Sequence, residues 1–378
     1  MDRQEIIVKT FKGLESVLAN EMTAMGCQDV QLLSRAVKAN ATIEDVYRLN
    51  VTLRTGLRIL APIFTGRAAH DKELYDQLFY FPWSDYLTPD DTFAIQATVS
   101  GTIFTHSHFV SLRTKDAIAD SMRRKYGRRP SVDTENPTFL FNIHIHENRF
   151  TLSLDSTGYS LDRRGYRLQK TEAPLNEVLA AGIIKLSGWG GNEPFYDPMC
   201  GSGTFSIEAA MMAANIAPGL RRSFSFEKWP DFDPELLQSI KDECIANQRE
   251  DATPILARDL DSRAVSILQA NAERAGVEDF ISAKREDFFV SKPRHAHGWV
   301  FLNPPYDERL SQDSIVTFYQ DIGSHLKKSY PDFTAWVLSG HLEAIKYFGL
   351  KPLQKFDLLN GKLPCKLQGY ELFEGSRD

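Results

Sequence analysis

Hydrophobic and polar positions follow two different rhythms along the chain. Up to residue 155, short alternating runs are interleaved with amphipathic helical stripes. Residues 5–10 (EIIVKT) read as a strand, 14–25 as a helix closed by Gly26, 36–43 as a strand and 43–50 as a helix. Residues 93–99 alternate again, and 107–126 form a long helical pattern stopped by Gly127. Residues 139–146 and 149–155 then read as a hairpin turned at Glu147-Asn148. This is an α+β pattern, and ferredoxin-like units fit it. From residue 193 the rhythm changes, with strands predicted at 193–197, 253–259, 280–284, 298–303, 334–338, 353–359 and 364–372. Helical patterns separate most of them. Regular β/α alternation predicts a parallel sheet covered on both faces. The Asn360-Gly361 turn between the last two strands predicts an antiparallel pair at the end of the sheet. A Gly-, Arg- and polar-rich stretch, 157–172, marks the boundary between the two regimes. The expected division is 1–60, 61–160 and 161–378.

Composition narrows the class. The chain has 378 residues, 42% hydrophobic and 25% charged, which suits two or three domains with cores of their own and excludes fibrous or wholly disordered chains. No apolar run is long enough for a membrane span, and the first residues lack a secretory signal. Four cysteines lie far apart without Cys-x-x-Cys spacing, the pattern of reduced thiols in a cytoplasmic protein. Net charge is −6, which alone argues against a nucleic-acid partner. The distribution argues the other way: residues 101–170 hold 12 Lys and Arg against 7 Asp and Glu. Arg113, Lys115, Arg123, Arg124, Lys125, Arg128 and Arg129 cluster in one stretch, and Arg163, Arg164, Arg167 and Lys170 in another. Basic patches of this kind suit a phosphate backbone, and a solvated helix face explains the same run equally well.

Candidate chemistry begins at Asp197-Pro198-Met199-Cys200-Gly201-Ser202-Gly203-Thr204, which follows a strand and opens an apolar helix at 205–215. Open α/β sheets bind ligands at such turns. Gly201 and Gly203 let the backbone approach a ligand that a Cβ would obstruct. Asp197 is placed to face a cationic group, Asp259 to bridge ribose hydroxyls and Asp287 to accept from an adenine amine. These residues favour S-adenosylmethionine over a dinucleotide, because Ser206 stands where the third fingerprint glycine belongs.

The tetrapeptide Asn303-Pro304-Pro305-Tyr306, at the end of the fourth predicted strand, decides the chemistry. Two prolines fix the backbone and donate nothing, so the segment offers acceptors. An exocyclic base amine is a poor nucleophile because its lone pair is delocalised. The Asn303 side-chain oxygen and the Pro304 carbonyl can hold its two protons and direct the lone pair at a methyl donor. Tyr306 is placed to stack on the base.

Other residues weigh less. His144 and His146 alternate on one strand and His106 and His108 stand close by, but no Cys or acid completes a metal set. Cys200 lacks the paired base of a nucleophile and reads as a small packing residue. Residues 221–229 mix arginines with aromatics, which suits either an RNA contact or packing over the sheet.

Together these motifs resemble the THUMP-containing guanine-N2 RNA methyltransferases, a group of class I S-adenosylmethionine-dependent enzymes. The likeness is to the N-terminal half of the fused large-subunit rRNA enzymes and to their stand-alone relatives. It is carried by Arg164-Gly165-Tyr166-Arg167, Ala173-Pro174-Leu175-Asn176-Glu177, the 197–204 loop running into Ile207-Glu208-Ala209-Ala210, Ala257-Arg258-Asp259-Leu260-Asp261 and Asn303-Pro304-Pro305-Tyr306. The closing hairpin completes it. The resemblance implies a seven-stranded Rossmann-like α/β domain with an antiparallel last strand, preceded by an α+β ferredoxin-like region and a THUMP domain. It implies S-adenosylmethionine at Pro174, Asp197, Pro198, Cys200, Gly201, Gly203, Thr204, Asp259, Asp287 and Asn303, and catalysis at Asn303, Pro304, Pro305 and Tyr306. The basic clusters would grip structured RNA, and neither a metal nor a membrane is implied. Asp307 departs from the pattern, where family members often have Gly. The implied reaction is methylation of a guanosine N2 in 23S rRNA, and a single one, because the second methyltransferase half of the fused enzymes is missing. Guanosine-N2 methylation of tRNA, adenine-N6 methylation and a non-catalytic assembly role stand as alternatives.

Overall fold

A computed structural model describes residues 2–167, 175–305 and 312–373. The N-terminal half is built on one eight-stranded sheet. Its elements are β1 (Gln4–Lys9), α1 (Glu15–Ala24), β2 (Gln28–Leu33), β3 (Ala36–Ala41), α2 (Ile43–Thr52), β4 (Arg58–Arg67), α3 (Asp71–Tyr80), β5 (Thr92–Ser100), α4 (Ser107–Tyr126), β6 (Ser131–Val132), β7 (Phe139–His146) and β8 (Arg149–Asp155). The strand order is β2-β3-β1-β4-β8-β7-β5-β6. In β1, Ile6 and Val8 are fully buried while Glu5, Ile7 and Lys9 turn to the other face, the period-2 division of a sheet covered on one side. α2 starts on a capping box in which the Thr42 hydroxyl accepts from Asp45 N and the Asp45 carboxylate accepts from Thr42 N. β4 pairs with β1 at Arg58–Leu60 and with β8 along most of its length, so the expected boundary at residue 60 falls inside a shared strand.

Three strands and a helix escaped the sequence pattern for local reasons, β6 because it has only two residues. β2 is an edge strand with no buried position, so it shows no alternation. β4 carries Pro62 at a register shift and Gly66 further on, which break the expected run. α3 (DKELYDQLFY) buries only Leu74 and Leu78, too narrow an apolar stripe to stand out.

The C-terminal half comprises α5 (Glu177–Ser187), β9 (Phe195–Asp197), α6 (Thr204–Ala213), α7 (Pro234–Ala246), β10 (Ile255–Asp259), α8 (Ser262–Ala275), β11 (Ile281–Arg285), β12 (Gly298–Leu302), α9 (Gln312–Ser329), β13 (Phe333–Ser339), β14 (Gln354–Asn360) and β15 (Leu363–Glu371). The sheet order is β11-β10-β9-β12-β13-β15-β14, with β15 antiparallel to both neighbours as the Asn-Gly turn predicted. β9 has β10 on one side and β12 on the other, which makes the gap beside its carboxyl end the topological switch point. Among the described residues no helix is long and apolar enough to cross a membrane.

The two halves are welded together. The aromatic stretch after α6 packs rather than projects: Phe226 stacks on Tyr47 of α2 at 4.1 Å and on Phe224 at 5.3 Å. That settles the open reading of residues 221–229 in favour of packing. Beneath it lies a buried polar chain. Glu21 of α1 accepts from Thr55 N at 2.9 Å and from the Thr55 hydroxyl, while Arg164 donates to Arg54 O at 2.7 Å and pairs with Glu208 of α6 at 3.3 Å.

Candidate active site

Asp197 ends β9 and the glycine loop turns directly above it. The loop is closed by Gly203 N donating to Cys200 O at 2.8 Å, and Cys200 N donates to Arg258 O at 2.9 Å. Both glycines hold positive φ, +51° at Gly201 and +86° at Gly203, but they serve different ends. A Cβ on Gly201 would point into open space, on the side where a ligand can approach. A Cβ on Gly203 would intrude on the Leu268 side chain of α8. Gly203 is therefore required by helix packing, and the expectation that it opens the way to a ligand is corrected on this point.

The three acids stand in sequence along the carboxyl edge of β9, β10 and β11. Asp197 is 1% exposed; its Oδ2 accepts from the Ser206 hydroxyl at 2.7 Å, while Oδ1 is buried without a hydrogen-bond partner. Burial, with some repulsion from Asp259, pushes its carboxyl up to about 7. Asp259 accepts from Gly201 N and from Asp261 N, both at 2.9 Å, tying the glycine loop to the end of β10. Asp287 accepts from Phe289 N at 2.9 Å in the turn after β11. Arg258 and Glu286 pair at 2.9 Å and lock these two strand ends together.

Asn303 and the buried Pro304 follow β12, whose Trp299 and Val300 pair with Phe195 and Tyr196 of β9 one strand spacing (~5 Å) away. Pro305 is exposed, and Tyr306, Asp307 and Pro174 lie outside the described residues. Pro198 and Thr204 are buried around the loop. Cys200 is buried and its thiol is pushed well up by desolvation, so it is a packing residue and no nucleophile.

The basic residues separate into distinct groups. Arg164 is 6% exposed and spends its donors on Glu208, Leu161 O and Arg54 O, so it is corrected from an RNA contact to a buried tie between domains. Arg167 is largely buried: its Nε donates to Glu177 Oε1 at 2.9 Å, and its Nη2 donates to Leu175 O at 3.0 Å and to the Thr204 hydroxyl at 2.9 Å. It too is withdrawn from the RNA set, because its donors are turned inward to Glu177, Leu175 and Thr204. On α4 and just after it, Arg113, Lys115, Arg123 and Arg128 lie beside Asp71, Asp116, Asp120 and Asp90 at 2.7–3.7 Å, which moderates their field. Arg124 sits 5.1 Å over the Phe79 ring and 5.4 Å over Tyr80, and Lys125 sits 5.4 Å over Tyr126. Arg129 is exposed, and Arg163 lies over Tyr159 at 5.5 Å. Lys170 lies outside the described residues.

His144 and His146 share the open face of the large sheet, where His146 Nδ1 meets the Ser100 hydroxyl at 3.0 Å. Among the described residues no group of three His, Cys, Asp or Glu is placed to hold a metal. Sequence reasoning missed a cleft of about 410 Å³ on the same face, lined by Lys9, Arg58, Gln96, Thr98, Asn142 and Ser160 among others. These residues come from strands far apart in the chain, so no motif announces them. It also missed Ser206 as the hydroxyl that holds Asp197, since a serine inside an apolar helix carries no signal of its own.

A glycine turn at the switch point, acids on the next two strand ends and an Asn-Pro-Pro turn across the gap define a Rossmann-like methyltransferase of class I. The chain belongs to the RMKL-like methyltransferase family, whose methyltransferase-domain model matches residues 164–369. Models of the THUMP domain and of the RlmL ferredoxin-like domain match residues 68–155 and 5–60. The chain is 38% identical, over 96% of its length and 95% of the relative's, to a Synechocystis protein named "Putative RNA methyltransferase slr0064". It is 36% identical to the "Ribosomal RNA large subunit methyltransferase K/L" of Pseudomonas syringae pv. tomato, covering 97% of this chain but only half of that protein. The crystal structure of SMU.472, a "putative methyltransferase" complexed with SAH, superposes over 100% of both chains with a TM-score of 0.89 and 30% identity.

Proposed function

We propose that this protein transfers a methyl group from S-adenosylmethionine to the exocyclic N2 amine of a guanosine in cytoplasmic RNA, with 23S rRNA the favoured substrate. The observation that carries this reading is the pairing, across one switch point, of a buried carboxylate with an unused oxygen and an Asn-Pro-Pro turn whose prolines donate nothing. The residues fit the cofactor on their own chemistry. Asp197 Oδ1 lacks only a cationic donor such as an α-ammonium, Gly201 leaves open space above the loop, and Asp259 and Asp287 offer acceptors where ribose and adenine belong. Bound there, the cofactor supplies an electrophilic methyl group.

The protein's own work is positional. Asn303 Oδ1 and the Pro304 carbonyl accept the two amine protons and orient the nitrogen lone pair. Tyr306 stacks on a base that has left its helix. Arg124, Lys125, Arg129 and Arg163, on the N-terminal half or at its junction, contact the phosphate backbone. The rRNA preference rests on the likeness to the large-subunit enzymes, of which this chain spans about half.

The deciding experiment is nucleoside mass spectrometry of rRNA and tRNA from cells with and without the gene. Loss of N2-methylguanosine from rRNA alone is the expected result. Its loss from tRNA moves the substrate, loss of N6-methyladenosine moves the base, and no loss in either pool favours an assembly factor. Asn303→Ala is expected to lower turnover by at least 100-fold (~3 kcal/mol of barrier).

A further inference from the structure

The open face of the N-terminal sheet sets like charges directly opposite each other in two places. Lys9 of β1 faces Arg58 of β4 at one end, and Arg67 of β4 faces Arg149 of β8 at the other. The helices pack on the other side, where Phe141, Ile143 and Ile145 of β7 meet Leu74 of α3 and Val110 of α4. Asn142, His144 and His146 alternate with them and belong to the open side. His146 lies beside Arg149 and Ser100 in one row across the strands, and His144 lies beside Thr151 and Thr98 in the next. No Asp or Glu stands in either row. Like charges placed cross-strand are destabilising on their own. Arg67 and Arg149 are exposed, with no ion pair to an acid among the described residues.

The Lys9–Arg58 end is more enclosed. Both residues line the cleft of about 410 Å³, together with Gln96, Thr98, Asn142 and Ser160. Arg58 gives Nη1 to Asp155 and to Gly158 O, at 2.5 and 2.7 Å, and its Nη2 has no hydrogen-bond partner among the described residues. The other Asp155 oxygen accepts from Thr157 N and Gly158 N, so that carboxylate is fully engaged. The Lys9 ammonium finds only the neutral Asn142 Oδ1, at 3.1 Å. Its pKa is pushed down, chiefly by burial, against the pull of Asp155 and with Arg58 and Arg35 adding to it. A half-buried ammonium with one neutral acceptor is a group that an anion would complete.

We infer that this face is a track for the backbone of an unpaired RNA strand, with one nucleotide seated in the cleft and its phosphate between Lys9 and Arg58. The inference rests on the proposed RNA substrate and adds a grip on the opposite side of the sheet from α4. On α4 the acids Asp71, Asp116 and Asp120 moderate the cations, whereas here only Arg58 has one. The two cationic pairs lie four residues apart along β7, about 13 Å, too far for one phosphate to join and within reach of a strand. No aromatic ring lines the cleft for a base to stack on, so the grip reads backbone and not sequence.

The test is binding of a labelled oligouridylate to the full chain, read by fluorescence anisotropy at several salt concentrations. Lys9→Gln is expected to weaken binding several-fold and to lower the salt slope by about 1, and Arg149→Gln to do the same. An oligocytidylate of equal length should lose by the same factor. Arg58 is left in place, since its removal would strand the buried Asp155. A second measurement needs no variant. Trace acetylation of Lys9, read by peptide mass spectrometry, should fall several-fold when oligouridylate saturates the wild-type protein, while Lys72 on α3 stays as reactive as before. Unchanged affinity in both variants, or equal labelling of Lys9 with and without RNA, overturns the track. Variants that weaken binding of poly-glutamate but not of RNA assign the face to an acidic protein, and overturn it as well. A wild-type protein that binds neither oligonucleotide nor a large-subunit rRNA transcript overturns the RNA reading itself, and the track with it.

Discussion

A carboxyl group raised to about 7 by burial makes Asp197 the residue through which pH reaches the site. Its folded value lies above the unfolded 3.8, so its contribution to stability is full below that value and is lost as pH rises through about 7. The ligand-free protein should therefore lose melting temperature between pH 5 and pH 8 on this residue's account. Asp197→Asn should remove that part of the slope, as scanning calorimetry at several pH values would reveal. Binding an ammonium requires the ionised form, which Asp259 nearby opposes and the Ser206 hydroxyl favours. Below pH 7, cofactor binding should accordingly release a proton, measurable as a dependence of the binding heat on the buffer's ionisation enthalpy. Absence of any such dependence at pH 6 would contradict this. At the same scale, Gly203→Ala meets Leu268 as well as a strained φ and should destabilise by about 2–4 kcal/mol, whereas Gly201→Ala, with open space above it, should cost about 1 kcal/mol and act mainly on ligand affinity. Urea titration beside ligand titration separates the two. The glycines themselves were legible in the sequence. Their division of labour was not, because the Leu268 contact comes from a helix more than sixty positions away.

Among elements, α6 carries the most consequence. Thr204 and Ser206 hold the two charged groups at the loop, and Glu208, one turn on, neutralises Arg164 beneath the junction. Glu208→Ala strands a buried guanidinium and should cost ~3–5 kcal/mol, whereas a well-packed Arg164→Met, Glu208→Leu double variant should lose much less. Equal destabilisation by the single and the double variant would argue that packing, not charge, dominates. α4 shows the opposite case. It was readable as a helix from its apolar spacing and its Gly127 stop, and its basic face was readable too, as were Asp116 and Asp120 beside Lys115 and Arg123, but Asp71, which partners Arg113, comes from α3. Arg124 and Lys125, which lie over aromatic rings, are the better candidates for RNA. Replacing both with Ala should weaken RNA binding several-fold and lower the salt slope by up to ~2, which filter binding at several salt concentrations would detect. The same substitution at Arg113, whose guanidinium lies over Tyr75 and near Asp71, should do less.

At the level of the molecule, the doubly wound sheet, its antiparallel close and its ligand edge were all written in the β/α rhythm and the motif order. The seam between the halves was not, because it depends on Tyr47 meeting Phe226 and on Arg54 meeting the Met211 and Ile216 carbonyls, pairs that no periodicity relates. The seam predicts that residues 161–378 expressed alone expose Phe224 and Phe226, leave Arg164 without the Arg54 and Leu53 carbonyls, and aggregate or melt far below the whole chain. Co-expressed residues 1–160 should restore solubility if the seam is as specific as its buried polar chain suggests. The strand shared by both N-terminal units and the stacked rings at the seam leave little slack between the face offered to RNA and the glycine turn. On the proposed reading, an RNA gripped on one half must then present its target at a set offset from the grip, as if measured by a calliper. A transcript with the right base at the wrong distance should then be passed over without any need to read its sequence.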